Sequence, residues 1–538
     1  MFLSIQNYSE GKYTLSSTFL SSAKTTHHNN PPIPNKWLQG DIVNEDTKAI
    51  ITREPKAHRT IAGVIDFVNR TRIGLSPKGV PLYNFHPYDP SYPTMVVASK
   101  MKHSYNVTAI ASLEHWNDKH PRAGIQYIHG PVGNQKDELT TLRQGLATPR
   151  TVDPNTKYKA DIVKHDEMPW EIVFNIDPLG CEDVDDVMGW RTMNLGIEFF
   201  IGIVDIAAWI PEGTPADEDA AKAAQTFYVD GKPVEPMFPH AFSTKIASLR
   251  ADNVKRPILA LVYTIDDFSV IKTEWRLINT PVTMAFTYES VTADIVVTKT
   301  LKSLLTIVTK QPPTDDPHIW VEQAMILYNT EAAKVLKQHQ HGILRRHAAG
   351  QTETCDQYAT LAALAKKTGI NELAYLAASS GEYVHADEPA ADTHHAGLNT
   401  DTYCHASSPL RRYADVINHR WLRNILFGFQ RPTGFHNAEY LNQRARTIKK
   451  FERLIWFLSN LSNDGSITTA QAVVLSYENT TKKAKVYVPA WKRTIKAGHT
   501  TAAEYEPGQR ILIRAFVDLK ATSINQRVVC TMNPVDLV

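Results

Sequence analysis

The chain has 538 residues, 43% hydrophobic and 21% charged, with a formal net charge of +2. That length exceeds what a single hydrophobic core serves, so three or four domains are expected, of ordinary globular rather than disordered or fibrous composition. The four cysteines, Cys181, Cys355, Cys404 and Cys530, are too far apart for a zinc pair or a small disulfide framework, and the near-neutral charge neither demands nor excludes a nucleic acid.

Residues 1–45 are polar and carry HHNNPPIPN at 27–35, a composition that predicts a loosely ordered N-terminal arm. The opening MFLSIQNYSEGKY lacks a charged n-region and an adequate apolar core, so no signal peptide is expected. Over 46–150, short β-rich runs such as Thr60–Val68, Thr94–Ala98 and Tyr105–Ala111 alternate with Gly74, Gly79, Pro81 and Pro87, which suits a small β-barrel. A mixed domain follows over 160–462. Its strands include Glu171–Ile176, and its most apolar run, Ile197 to Ile210, is too short and too interrupted by Glu198 and Asp205 to cross a membrane. Helical periodicity begins near His318 and returns at Tyr413–Leu426 and Ala438–Leu461. Residues 466–538 revert to strands and hold ten Lys/Arg against five Asp/Glu, a net of +5 in 73 residues. A basic terminal barrel of this kind is a plausible polyanion-binding arm.

Two constellations carry chemistry. Asp177-Pro-Leu-Gly-Cys-Glu-Asp183-Val-Asp185-Asp186 packs four aspartates and a glutamate into ten residues directly after a strand. Pro178 and Gly180 end the strand, so the acids sit on a turn leaving a sheet. Like charges this close raise one another's pKa unless neutralised, and hard divalent cations, Mg²⁺ above all, use carboxylates together with substrate phosphates. A solvated acidic loop or a structural Ca²⁺ site is the competing reading. The second block, His405-Ala-Ser-Ser-Pro-Leu-Arg411-Arg412-Tyr413-Ala-Asp415-Val-Ile-Asn-His419-Arg420, repeats charged residues at helical spacing. Arginine's planar fork suits phosphate; a surface helix laced with ion pairs is the alternative. The histidine-rich stretch His385–His395 has no fixed pairing, and no zinc site is expected there.

Together these blocks resemble the RNase II (RNB-domain) exoribonucleases, whose signatures read I-D-x-x-x-x-x-D-x-D-D and T-S-P-x-R-R-Y-A-D-x-x-x-H-R. The resemblance covers residues 160–462 and implies a multidomain α+β protein: a cold-shock-like OB barrel at 46–150, a mixed α/β catalytic domain, and a C-terminal OB barrel at 466–538. It implies that Asp177, Asp183, Asp185 and Asp186 form the metal site, with Asp177 and Asp186 direct Mg²⁺ ligands and Mn²⁺ a possible substitute. Asp185 would be the aspartate whose loss stops cleavage but spares binding, and Arg411 would hold the scissile phosphate. Glu452, in Arg446-Thr-Ile-Lys-Lys-Phe-Glu452, matches a glutamate that reaches the active site. Tyr228, before a P-M-F-P segment, and Tyr288, in T-Y-E-S-V, match tyrosines that stack on RNA. Arg412, Tyr413, Lys482, Lys483, Lys485 and Trp491 complete the expected RNA contacts, with Tyr477 and Tyr487 offering further stacking faces on the terminal barrel.

The implied activity is processive 3′→5′ hydrolysis of single-stranded RNA to nucleoside 5′-monophosphates; a non-catalytic RNA-binding scaffold and a DNA nuclease are the alternatives. An intracellular monomer without membrane attachment is expected, cytoplasmic first with an organelle also open; protein partners are unknown. The chain departs from the family at Gly202-Ile-Val-Asp205-Ile, where H-I-A-D-V is usual, and in an N-terminal arm too short for a first cold-shock barrel.

Overall fold

The computed structural model of the chain describes residues 2–16, 26–28, 36–38, 40–44, 46–47, 49–53, 60–69, 73–148, 150–153, 155–194, 196–347, 360–361, 363–370, 373, 381–389, 393–434, 437–461, 466–498, 505–524 and 526–532. They fall into two compact units. One comprises Met1–Ala147, Ala349–Ser380 and Arg446–Val538; the other comprises Thr148–Ala348 and Gly381–Ala445.

The first unit is built from β-structure. Its N-terminal strands Phe2–Asn7, Lys12–Ser16, Thr26–His28, Ile42–Val43 and Ile50–Thr52 form one five-stranded sheet. This corrects the loose arm expected for residues 1–45. Leu3 and Ile5 on one strand and Tyr13 and Leu15 on the next alternate inward and pack with Trp37 and Val43, the two-residue period of a half-buried strand. Asp41 is wholly buried there, accepts from the Leu38 amide at 2.7 Å and pairs with Arg53 at 2.6 Å.

The expected first barrel closes from strands Ile61–Ile65, Leu82–Pro87, Met95–Ala98, Val107–His115 and Arg122–Pro131 around a core that includes Ile61, Ile65, Phe85, Val97 and Val107. The helix Gln135–Leu146 covers one end, its first turn capped by the Asn134 side chain accepting from the Asp137 amide. The terminal barrel closes from Thr468–Glu478, Lys483–Val488, Arg493–Gly498, Arg510–Val517 and Val528–Met532; the third of these strands was not anticipated. Glu138 and Arg527, both without exposed surface, pair across this unit, and the Tyr88 hydroxyl donates to the same carboxylate at 2.5 Å.

The second unit is a six-stranded sheet in the order Ser269–Pro281, Lys255–Asp266, Ile197–Val204, Asp186–Thr192, Ile172–Asp177, Met284–Thr287. Every neighbouring pair is antiparallel except the last, where Asp177 lies opposite Thr287. At Gly202, one of the family departures, a Cβ would stand 2.6 Å from Ile258 Cδ1 and 3.0 Å from the Phe200 ring, so a larger residue needs these side chains to shift. The unit also holds the helices Ile295–Thr309, Pro317–His339 and Tyr413–Phe427. The last of these was open to reading as a surface helix. Instead every residue from Tyr413 to Arg423 is buried.

Candidate active site

The acidic turn joins two neighbouring strands, Ile172–Asp177 and Asp186–Thr192, so Asp177 ends one and Asp186 begins the next. Gly180, at φ +84°, makes the backbone reversal that a β-carbon would resist. The wholly buried Ser248 hydroxyl pins the turn, donating to the Glu182 carbonyl at 2.8 Å and accepting from the Val184 amide at 3.0 Å. The Leu249 amide adds a bond to the Val184 carbonyl at 2.9 Å. The carboxylates are therefore presented by a held backbone, not by a solvated loop.

The arginine block reaches this turn from 226 residues away in sequence. Asp185 Oδ1 accepts from the Leu410 amide at 2.8 Å, and Asp185 Oδ2 lies 3.4 Å from Arg411 Nε. Asp185 is 4% exposed whereas the Arg411 side chain is 46% exposed, so the guanidinium is anchored at its buried edge and open on the other. Arg411 Nη2 also donates to Ser408 Oγ at 3.2 Å. The Thr226 amide bonds the Arg411 carbonyl at 3.0 Å, and the Tyr413 amide bonds the Ala224 carbonyl at 2.8 Å. These bonds bring the Tyr228 segment alongside, and the Tyr228 hydroxyl donates to Asp183 Oδ2.

Crowding sets the electrostatics. Burial, opposed in part by the Arg411 charge, pushes Asp185 up to about 8. Burial and repulsion from Asp183 take Asp177 up to about 6, against a lowering hydrogen bond from the Cys181 thiol. Asp186 rises well above the carboxylate range through burial and the charges of Asp177 and Asp185. Tyr288 is pushed up to about 12 by burial and by Asp177 and Asp186, which places its hydroxyl near the same acids.

The ligand set expected from the sequence contracts here. Both oxygens of Asp185 are engaged by the arginine block, and Asp183 is engaged by Tyr228, with Cys181 Sγ at 4.0 Å from its other oxygen. Asp177 Oδ2 is buried with no hydrogen-bond partner, and Asp186 stands beside it, its carboxyl raised by burial and by the charges of Asp177 and Asp185. No group of three His, Cys, Asp or Glu side chains stands ready to hold an ion among the described residues. Magnesium commonly takes one or two carboxylates and completes its shell with water and substrate phosphate. Two adjacent acids with raised pKa values and an unpartnered buried oxygen fit that chemistry.

Other expected contacts separate clearly. Arg412 is committed to Asp415 by bonds of 2.7 and 3.0 Å, and Tyr413 is wholly buried, its hydroxyl donating to Asp217 at 2.6 Å. The burial of Tyr413 corrects its reading as an RNA contact, and the Arg412–Asp415 pair ties the start of the helix Tyr413–Phe427. Tyr288 stacks on His318 with centroids 3.9 Å apart and 19° between planes. Lys482, Lys483 and Lys485 are exposed on the terminal barrel. Trp491 lies edge-on to Trp456 and Phe457 at 6.2 and 6.0 Å, and Tyr487 is 2% exposed, which removes it as a stacking face. Glu452 sits on the helix Ala438–Asn460, in the stretch belonging to the barrel-bearing unit.

Sequence reasoning missed the buried supports. Arg420 bonds Asp217 at 2.7 Å, and Asp205 is flanked by His165 at 3.1 Å and Arg423 at 3.4 Å. Asp217 and His165 lie in stretches with no motif, so only their partners across the fold mark them.

The family model named RNB domain matches residues 167–304 and 289–428. Among curated proteins, the exosome complex exonuclease RRP44 homolog A of Arabidopsis thaliana is 26% identical over 355 residues, covering 52% of this chain and 38% of that protein. The chain spans 38% to 58% of the length of the first curated relatives it matches. Mycoplasma genitalium RNase R in complex with ribose-methylated single-stranded RNA has the same fold, with TM-score 0.67 at 14% identity, covering 99% of this chain and all of that one. Yeast Ssd1, a pseudonuclease, matches with TM-score 0.63 at 14% identity over 96% of this chain and 81% of its own. A held acidic turn closed by an arginine block, in a chain with a closed barrel in sequence on either side, defines an RNB-type architecture. Residues 167–428 of the chain carry the match to the RNB domain.

Proposed function

We propose that this protein is a Mg²⁺-dependent 3′→5′ exoribonuclease that degrades single-stranded RNA processively to nucleoside 5′-monophosphates. The observation that carries the reading is the meeting of Asp185 with Leu410 and Arg411, which joins two distant motifs in one pocket beside the unpartnered oxygen of Asp177. Asp177 and Asp186 would hold the cation, which when bound supplies an activated water and neutralises charge on the phosphate. Asp185 fixes the aim of Arg411. The exposed edge of that guanidinium then holds the scissile phosphate and meets the charge that grows on it during hydrolysis. Tyr228 and Tyr288 offer ring faces to the terminal bases, a grip that any base sequence satisfies. Glu452 is assigned to the same reaction on its match to the family segment. The basic face of Lys482, Lys483 and Lys485 would gather RNA by its backbone.

The fold shared with an RNA-bound RNase R supports this reading. The fold shared with a pseudonuclease supports a second one, an RNA-binding scaffold without turnover. A time course on 3′-tailed RNA with Mg²⁺ and with EDTA, resolved at single nucleotides, separates them. A ladder shortening from the 3′ end and ending in mononucleotide, abolished by EDTA, is expected. Tight binding with no mononucleotide would establish the scaffold instead, and equal cleavage of a matched DNA would make the enzyme a DNA nuclease.

A further inference from the structure

Arg345 belongs to neither the acidic turn nor the arginine block. It sits on the strand Ile343–His347, opposite Tyr383 on Gly381–His385, and its guanidinium lies over the Tyr383 ring at 5.0 Å. Gly381 makes room for it: a Cβ at that position would stand 2.9 Å from Arg345 Nε. The Arg345 amide is tied to the Tyr403 carbonyl at 2.7 Å, so the strand is fixed on its other edge as well. The Tyr383 hydroxyl meets His405 Nδ1 at 2.8 Å, and His405 is the first residue of the block that delivers Arg411.

The charges around this imidazole do not balance. His405 is held well below the usual histidine range, first by burial and then by Arg412, Arg345, Arg411 and His395. Arg412 is neutralised by Asp415, and Arg411 has Asp185 at 3.4 Å. Among the described residues Arg345 has no carboxylate partner. A guanidinium laid across an aromatic ring, half-buried and lacking an acid, is arranged to receive an anion.

We propose that Arg345, with the His405 imidazole beside it, forms a second phosphate subsite, which takes the RNA backbone phosphate next to the scissile one. This rests on the exoribonuclease reading and deepens it. The scissile phosphate engages Arg411, and the neighbouring linkage is gripped by Arg345, so the strand is held at two successive points while the terminal one reacts.

The test is binding of 5′-fluorescein oligo(A) to the full chain in EDTA, where nothing turns over. Arg345→Gln should weaken binding about tenfold and flatten the dependence of log K on log salt by about 0.7, the share of one phosphate on a single strand. Arg345→Lys should keep most of both. A neutral methylphosphonate stepped along the 3′ end locates the contact in the wild-type protein without any variant. One linkage beside the scissile one should be sensitive, and Arg345→Gln should abolish that sensitivity. Unchanged affinity and salt slope in Arg345→Gln, or a scan with no sensitive neighbouring linkage, overturns the subsite. If AMP competition weakens in Arg345→Gln while the oligonucleotide slope is unchanged, the site takes a free monoester and the backbone assignment is wrong. A wild-type chain that does not bind oligo(A) sinks the RNA reading itself, an outcome read from a different protein than the failure of Arg345.

Discussion

The surroundings of the acidic turn and the lysine hairpin of the terminal barrel handle charge in opposite ways. Around the acidic turn and the arginine block, buried carboxylates are interlocked with partners: Asp185 with Arg411, Asp415 with Arg412, Asp217 with Arg420 and Tyr413, Asp205 with His165 and Arg423. On the terminal barrel, Lys482, Lys483 and Lys485 stand exposed along a hairpin. A buried ion pair contributes little net stability, but leaving one partner alone is costly, so it fixes geometry. An exposed lysine fixes nothing and is screened by salt, but it adds to a field that gathers a polyanion. The first arrangement serves position and the second serves capture.

The largest effect should come from breaking a pair in the first set. Arg420→Met leaves the Asp217 carboxylate buried without its cation, and chemical denaturation should record a loss of about 3–5 kcal/mol. If stability changes by no more than an exposed substitution would cause, the contrast between the two regions collapses. Next comes Asp185→Asn, which keeps an oxygen for the Leu410 amide but removes the charge facing Arg411. Mononucleotide release should drop at least about a hundredfold, in the range seen when one positioned transition-state group is lost, while oligo(A) affinity in EDTA stays near wild type. An equal fall in both quantities would mean that Asp185 serves binding and not the chemical step.

How much of this is legible in the sequence follows the same divide. The acidic turn and the arginine block stand out because each is a short motif whose spacing is local, and Pro178 and Gly180 announce the end of a strand. Which carboxylates stay free is not legible. It depends on Tyr228 and Leu410, residues 45 and 225 positions from their acids. Arg412 and Tyr413 read as RNA contacts because they adjoin Arg411 in the motif, but the backbone turns from extended at Arg412 into the helix that Tyr413 opens, and these two meet Asp415 and Asp217. The N-terminal sheet is hidden for another reason. Its alternation of Leu3, Ile5, Tyr13 and Leu15 is plain, but it is short and followed by the polar stretch His27–Asn35, whose composition dominates the reading.

A smaller effect is expected on the capture side. Replacing Lys482, Lys483 and Lys485 together by alanine should weaken RNA binding and reduce the salt slope by up to roughly 0.7 for each phosphate that a lysine no longer neutralises. The rate at saturating RNA should hold, because none of the three lies in the unit that carries the acidic turn. A fall in the saturated rate with an unchanged salt slope would reverse the roles given to the two regions.

The finest test concerns protons and metal at the acidic turn. Asp177 at about 6 and Asp185 at about 8 stand above the unfolded carboxylate value, so the metal-free folded state binds more protons than the unfolded one over this interval. Stability rises with pH only where the unfolded state binds more protons; here the reverse holds, so these groups make the metal-free protein less stable as pH climbs from about 4 to about 8. A divalent cation competes with those protons and replaces their neutralising charge, so its benefit should grow over the same interval. Melting temperatures in Mg²⁺ and in EDTA should nearly coincide near pH 5 and separate by about 1–2 °C near pH 8, the shift that roughly 1 kcal/mol produces when several hundred residues unfold together. Asp177→Asn should shrink that separation, since it removes the acid whose buried oxygen lacks a partner. A metal benefit independent of pH, or largest in acid, would mean that the ion sits elsewhere and that these carboxylates are neutralised by something other than a cation.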